Sequence, residues 1–308
     1  MNTFVRLAGT LGCAAAVAIA GCSGVGGSQS TPSAPGSALT GPDWKYEGGV
    51  LYHTPHYMGT RWSARPAVHP NILLSYGGGP VLKTPRIHFI FWGYKAGDPN
   101  GLIPLLENYA KSIGGSAYNN IYTQYYGPSG NITNPSNQFS GAMFDNTNPI
   151  PAHPTDAQVA AEAVNFVKLH GYDANGSYVV ATAHGHSSSG FGTQWCAYHS
   201  ATTYNNHLIS YTNLPYIPDA ASSCGSNIIS PPSDESGADE GVTIVGGHEY
   251  GESITDPNPP SGWYNNTYGE IGDICAWQNI QNDPYGTHTY TAQPMFSNAS
   301  QSCVHHYP

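Results

Sequence analysis

Two periods of apolar positions organise the chain. Residues 85 to 94, PRIHFIFWGY, form an aromatic and β-branched run after the turn Gly77-Gly78-Gly79-Pro80, the pattern of a buried strand. A helical period follows over 101 to 113, GLIPLLENYAKSI, and then a Tyr-rich stretch around NIYTQYYG. Thr155-Asp156-Ala157-Gln158 reads as a capping box ahead of VAAEAVNFVKLHG, in which Val159, Ala163, Phe166 and Val167 share a face. Residues 177 to 184, SYVVATAH, predict the next strand, and residues 239 to 255, DEGVTIVGGHEYGESIT, a helix that Pro257 stops. Strand, helix, helix, strand, loop and helix in that order predict an α/β sheet domain with a loop-rich C-terminal region over about 257 to 308.

Composition narrows the setting. The 308 residues are only 9% charged but hold 37 Gly, 25 Pro and 22 Tyr, a usage that suits a loop-rich extracellular protein. A formal charge of −10 opposes binding to nucleic acid. Residues 1 to 22, MNTFVRLAGTLGCAAAVAIAGC, carry one Arg and a short apolar run ending in small residues, the layout of an export signal. Ile19-Ala20-Gly21-Cys22 resembles a bacterial lipobox, so Cys22 is expected to carry lipid and anchor the protein in the cell envelope, at the outer membrane or facing the exterior. Residues 23 to 45 begin as a Gly, Ser and Pro rich flexible tether, and 46 to 308 are expected to form one domain. With Cys13 removed and Cys22 lipidated, four cysteines remain; proximity favours pairing Cys196 with Cys224 and Cys275 with Cys303 among three possible connectivities.

The candidate chemistry lies on the last helix. His248 and Glu252, at i and i+4, share a face as the two ligands of an HExxH helix do, with Glu249 beside them as general base. A carboxylate is an acceptable zinc ligand, although it makes the site harder and more favourable to Ca or another divalent ion. Asp256, Glu270 and Asp273 are candidates for the third ligand, with the last two preferred because Asp256 rotates away from His248. His248, Glu249, Glu252, Asp256, Glu270 and Asp273 fall in one short stretch of a chain poor in acids, which sets them apart from an ordinary solvated helix face. The pair Gly246-Gly247 disfavours a helix and predicts close approach of another backbone. His184 and His186, at a strand end, are weaker candidates for a ligand or substrate contact, and His305 and His306 read as solvent-exposed.

Separated blocks also carry a resemblance. GGGPVLKTPRIHFIFWGY, SYVVATAH with GFGTQWCAYHS, ITDPNPPSGWYN and YTAQPMFSNASQSC are similar to stretches of the phosphate-induced, or EXORDIUM-like, proteins. That resemblance implies a secreted, disulfide-bonded α/β protein of the cell surface without an assigned enzymatic activity. The order of sheet, helices and an HE-bearing helix separately resembles zincin metallopeptidases, which implies a zincin-like mixed sheet with flanking helices. Together they lead to the expectation of an exported, lipid-anchored metal-dependent hydrolase, a zinc metallopeptidase acting on peptide or cell-wall polymer. The alternative is a non-catalytic surface protein that binds carbohydrate or a protein partner and holds a structural metal.

Overall fold

The computed structural model describes residues 43–63, 72–229 and 233–308. The expected export signal and Cys22 lie outside them. The tether ends earlier than expected, because Trp44 and Lys45 already pair in the first strand.

One mixed eight-stranded sheet forms the centre. Its strands are β1 (Trp44–Glu47), β2 (Val50–His53), β3 (His56–Gly59), β4 (Arg86–Trp92), β5 (Phe139–Asp145), β6 (Gly176–Thr182), β7 (Trp195–Tyr204) and β8 (His207–Leu214). The spatial order is β1-β2-β7-β8-β6-β4-β5, with β3 pairing a second stretch of β7. Strands β8, β6, β4 and β5 run parallel, while β1, β2, β3 and β7 are antiparallel additions. Parallel strands are covered on both faces, which is why β4 and β6 are buried almost throughout instead of alternating.

Helix α2 (Asp156–His170) covers one face. Its first turn has the expected box, with Thr155 accepting from the Gln158 amide and the Gln158 side chain accepting from the Thr155 N–H. The other face carries α1 (Leu102–Ile113) and α3 (Glu240–Thr255), which pack in the larger apolar core. Every residue of α3 except Gly246 is buried, so the helix shows no polar face; it runs through the interior between β7, β8, α1 and a hairpin of Gln281–Tyr285 and His288–Ala292. Backbone approaches α3 closely at Gly241, where a Cβ would collide with the Cys224 carbonyl, but at Gly246-Gly247 the neighbours are side chains, which corrects the backbone contact expected there. A Cβ on Gly247 would stand 2.7 Å from the Tyr109 hydroxyl and one on Gly251 2.8 Å from that of Tyr122, while Gly246 meets only Leu214, at 3.9 Å.

Residues after 257 form no separate body. Thr243 on α3 donates to the Thr291 carbonyl, Tyr118 donates to the Gln293 carbonyl, and Phe296 bonds Ile271 through the backbone. Both disulfides join as expected, Cys196 with Cys224 and Cys275 with Cys303. The second fixes the segment that follows Asp273 to the last strand pair, Met295–Ser297 with Ser302–Val304.

Gly246→Ala is expected to stabilise the protein by about 0.5–1 kcal/mol, because alanine removes a helix-interior glycine and meets only an ordinary van der Waals contact with Leu214; thermal melts of the purified protein measure it. Glu162, buried in α2 and accepting from the Asn148 amide, is pushed up to about 8 by burial and by Asp145 nearby. The folded chain therefore keeps a proton that the unfolded chain, titrating near 4.5, releases, so this group's stabilisation is complete at low pH and falls as pH rises towards 8. Urea midpoints across that window are expected to decline less with pH in Glu162→Gln than in the parent.

Candidate metal centre

The site is assembled where α3 crosses β7. His248, Glu249 and Glu252 point from α3 towards the sheet and towards the loop that returns through Glu270 and Asp273. His248 Nε2 lies 3.0 Å from Glu252 Oε1 and 3.7 Å from Asp273 Oδ1. Its other nitrogen is 3.1 Å from the Gln293 amide, which also donates to the Gly272 carbonyl, so the ring is held from both sides. The Asp273 N–H donates to Glu252 Oε1, and the Glu270 N–H to Asp273 Oδ2, locking the returning loop to the helix.

Two further histidines enter from the sheet, and the sequence pattern did not single out either one. His199 on β7 and His56 on β3 are directly opposite in the antiparallel register, so both project to the face that α3 covers. Their rings are 5.9 Å apart between centres. His199 Nδ1 faces Glu249 Oε2 at 3.4 Å and Glu252 Oε2 at 3.3 Å, and its Nε2 faces Glu270 Oε1 at 3.4 Å. His56 Nδ1 faces Glu270 Oε2 at 2.6 Å. The stretch expected to be a loop between the second predicted strand and the last helix holds β7 and β8, and the signal that could have found His199 is the aromatic and β-branched run WCAYHSATTY of β7.

Of the expected ligands, His248, Glu252, Glu270 and Asp273 are brought together, and Glu249 stands next to them. Asp256 stands apart from the groups that could hold an ion: its Oδ1 accepts from the Gly262 N–H at 2.7 Å, closing the turn after α3. His184 is also elsewhere, paired with Asp219 at the surface, and His186 bonds the Pro151 carbonyl. His306 is exposed as expected, whereas His305 is partly buried and paired with Asp283.

Ionisation follows from burial and crowding. Burial works against charge on the His248 imidazole, but Glu252, Glu249 and Asp273 outweigh it and hold the ring up at about 10. The same balance raises His56 to about 9, through Glu270, and lifts His199 well above its ordinary value. Burial and then Glu252 push Asp273 up to about 7, and burial and then Glu270 push Asp256 up to about 8. Burial opposes ionisation of Glu252, but His248 and His199 draw its carboxyl below the usual range. Burial raises Glu249.

The donor set fits a divalent cation. His199, His248, Glu249 and Glu270 are wholly buried, yet both His199 nitrogens, His248 Nε2 and both oxygens of Glu249 and of Glu270 lack a well-formed hydrogen bond. Ligands about 2.0–2.2 Å from a tetrahedral ion stand about 3.3–3.6 Å from one another. The spacings of 3.0 and 3.7 Å around His248 and of 3.3 and 3.4 Å around His199 bracket that range. Three overlapping groups meet the requirement: His248 with Glu252 and Asp273, His199 with Glu249 and Glu252, and His56 with Glu252 and Glu270. Gly272 is part of the construction, since a Cβ there would stand 2.7 Å from His248 Nδ1 and 2.9 Å from Glu252 Oε1.

Among the described residues of the cluster, the side chains of His56 and Asp273 keep 28% and 24% exposure and form its contact with solvent. Tyr264 packs edge-on against His56 at 5.7 Å and lines a surface cavity of about 350 Å³ with Tyr76, Pro260 and Asn265. Comparison with protein-family models, curated proteins and solved structures yields no match.

Gly272→Ala is expected to displace His248 and Glu252 and weaken Zn2+ binding by at least tenfold, while Gly246→Ala, six residues before Glu252 on the same helix, leaves it unchanged. Zinc titration by calorimetry on the purified protein checks both.

Proposed function

We propose that this protein is an exported, lipid-anchored, metal-dependent hydrolase that cleaves peptide bonds. The observation that carries the reading is Glu249: a fully buried carboxylate with no hydrogen bond to either oxygen, set between His199 and the His248–Glu252 pair. A carboxylate kept so poorly solvated next to ion ligands is a strong base, and a buried one that merely filled space would be hydrogen-bonded.

His248, Glu252 and Asp273 hold the ion in this reading, and Zn2+ bound there would acidify a water and polarise a carbonyl oxygen. Glu249 would take a proton from a water held there, and His199, 3.4 Å from it, positions its carboxylate for that transfer. His248 is kept in one orientation by Gln293, and the Asp273 backbone holds Glu252. Substrate approaches from the side of His56, Asp273 and Tyr264, across a cavity lined by aromatic rings and uncharged amides that suits a neutral peptide or wall polymer more than a charged one. The zincin resemblance agrees with these roles. Two disulfides place the mature chain in an oxidising compartment, and no described helix is long and apolar enough to cross a membrane.

A second reading, closer to the EXORDIUM-like resemblance, is a surface protein whose ion is structural. One observation favours it: His199, His248, Glu249 and Glu270 have no accessible surface. Elemental analysis followed by a peptide-library screen separates the two readings. Hydrolysis predicts about one or more Zn per chain, lost or reduced in His248→Ala, and a kcat that falls about 10²–10⁴-fold in Glu249→Gln with metal retained. Calcium alone, unaffected by His248→Ala, or full turnover in Glu249→Gln, overturns the hydrolase.

A further inference from the structure

We infer that the centre holds two divalent cations bridged by Glu252, the second one bound by His56 and Glu270. The inference rests on the reading of this cluster as a metal centre, and it adds an ion and a ligand, His56, that the catalytic assignment does not use.

Charge is the first argument. Glu249, Glu252, Glu270 and Asp273 bring four carboxylates into one interior cluster, and among the described residues no lysine or arginine pairs with any of them. One dication leaves half of that charge uncompensated in a low-dielectric setting, whereas two balance it with the imidazoles neutral.

Geometry is the second argument. Glu252 sends its two oxygens in different directions: Oε1 lies 3.0 Å from His248 Nε2, and Oε2 lies 3.3 Å from His199 Nδ1. A carboxylate so divided is placed to bridge, with one oxygen turned to each side of the cluster. Glu270 is divided likewise between His199 Nε2 at 3.4 Å and His56 Nδ1 at 2.6 Å. It is fully buried, and neither of its oxygens has a well-formed hydrogen bond. His56, Glu252 and Glu270 together meet the spacing for an ion, and they do so beside the group of His248, Glu252 and Asp273. The two groups share only Glu252, which makes it the bridge. The pairing of β3 with β7 is what brings His56 here, so the second ion depends on the strand addition and not on the metallopeptidase-like helix.

Each group reaches solvent through one residue, that of His248 through Asp273 and the second through His56, which packs against Tyr264 beside its cavity. Two ions so placed would face an incoming carbonyl oxygen from the same side, as in hydrolases that clamp their substrate between two ions.

Native mass spectrometry of the purified protein titrated with Zn2+ tests this. Two ions per chain are expected in the parent and one in His56→Asn, with unchanged melting of the zinc-free forms. A single ion at saturation in the parent, or two in both proteins, overturns the inference. A measurement without any variant stands beside it: the parent loaded with Mn2+ is expected to give the spin-coupled electron paramagnetic resonance signal of a carboxylate-bridged pair, and isolated-ion spectra alone overturn the bridge. Failure here is distinguishable from failure of the hydrolase reading. A one-ion protein whose turnover still collapses in Glu249→Gln keeps the hydrolase and loses the second ion, and a two-ion protein indifferent to Glu249→Gln does the reverse.

Discussion

The interior of this protein contains a concentration of like charge that the fold by itself does not neutralise. Carboxylates from α3 and from the loop through Glu270 and Asp273 converge within ion-pair distance of three imidazoles. Desolvating one such carboxylate costs several kcal/mol unless it is paired. Among the described residues, three imidazoles whose neighbours favour the protonated form are the only cationic groups paired with these carboxylates, and a divalent ion does the same work by displacing their protons. Buried groups with open hydrogen-bond capacity are the mark of an arrangement built for a partner that is not protein.

The scaffold is organised to hold that arrangement against repulsion. Helix α3 is enclosed on all sides, so its carboxylates cannot turn to solvent as they would on a surface helix. Its glycines admit the Tyr109 and Tyr122 side chains, which wedge the helix in place, and Gly272 lets the returning loop pass close enough for the Asp273 N–H to bond Glu252. Each disulfide lies next to a strand or loop that delivers a site residue. Cys196 precedes His199 on β7, and Cys275 follows Asp273. Cross-linking at those points limits how far the charged segments can separate and reduces the entropy of the unfolded chain.

How a hydrolase and a structural centre differ here is a matter of access. The imidazole and carboxylate of His56 and Asp273 form the only contact of the cluster with solvent among the described residues that compose it. A closed interior raises the basicity of Glu249 and strengthens every electrostatic interaction around it, which serves catalysis if substrate reaches the His56 side and serves stability if it does not.

The helix of residues 239 to 255, the capping box at Thr155, the buried strands at 86 and 177 and both disulfides could be read from the chain, because each depends on local periodicity, capping chemistry or sequence proximity. The i and i+4 spacing of His248 and Glu252 was legible for the same reason: a helix fixes which residues share a face. Asp256 shows the limit of that reasoning, since its position after the helix left its direction to the turn that Gly262 closes. His56 and His199 were not legible as ligands. They meet Glu270 only because β3 pairs with β7 in a register that sets the two histidines opposite each other, and strand pairing between distant segments has no signature in either segment alone. The sequence by itself therefore determined an α/β chain with a ligand-bearing helix. Tertiary structure alone decided that the helix would be buried, that histidines from the sheet would join it, and that a pair of ligands would become a seven-residue cluster of charge, because long-range packing chooses which side chains share an interior.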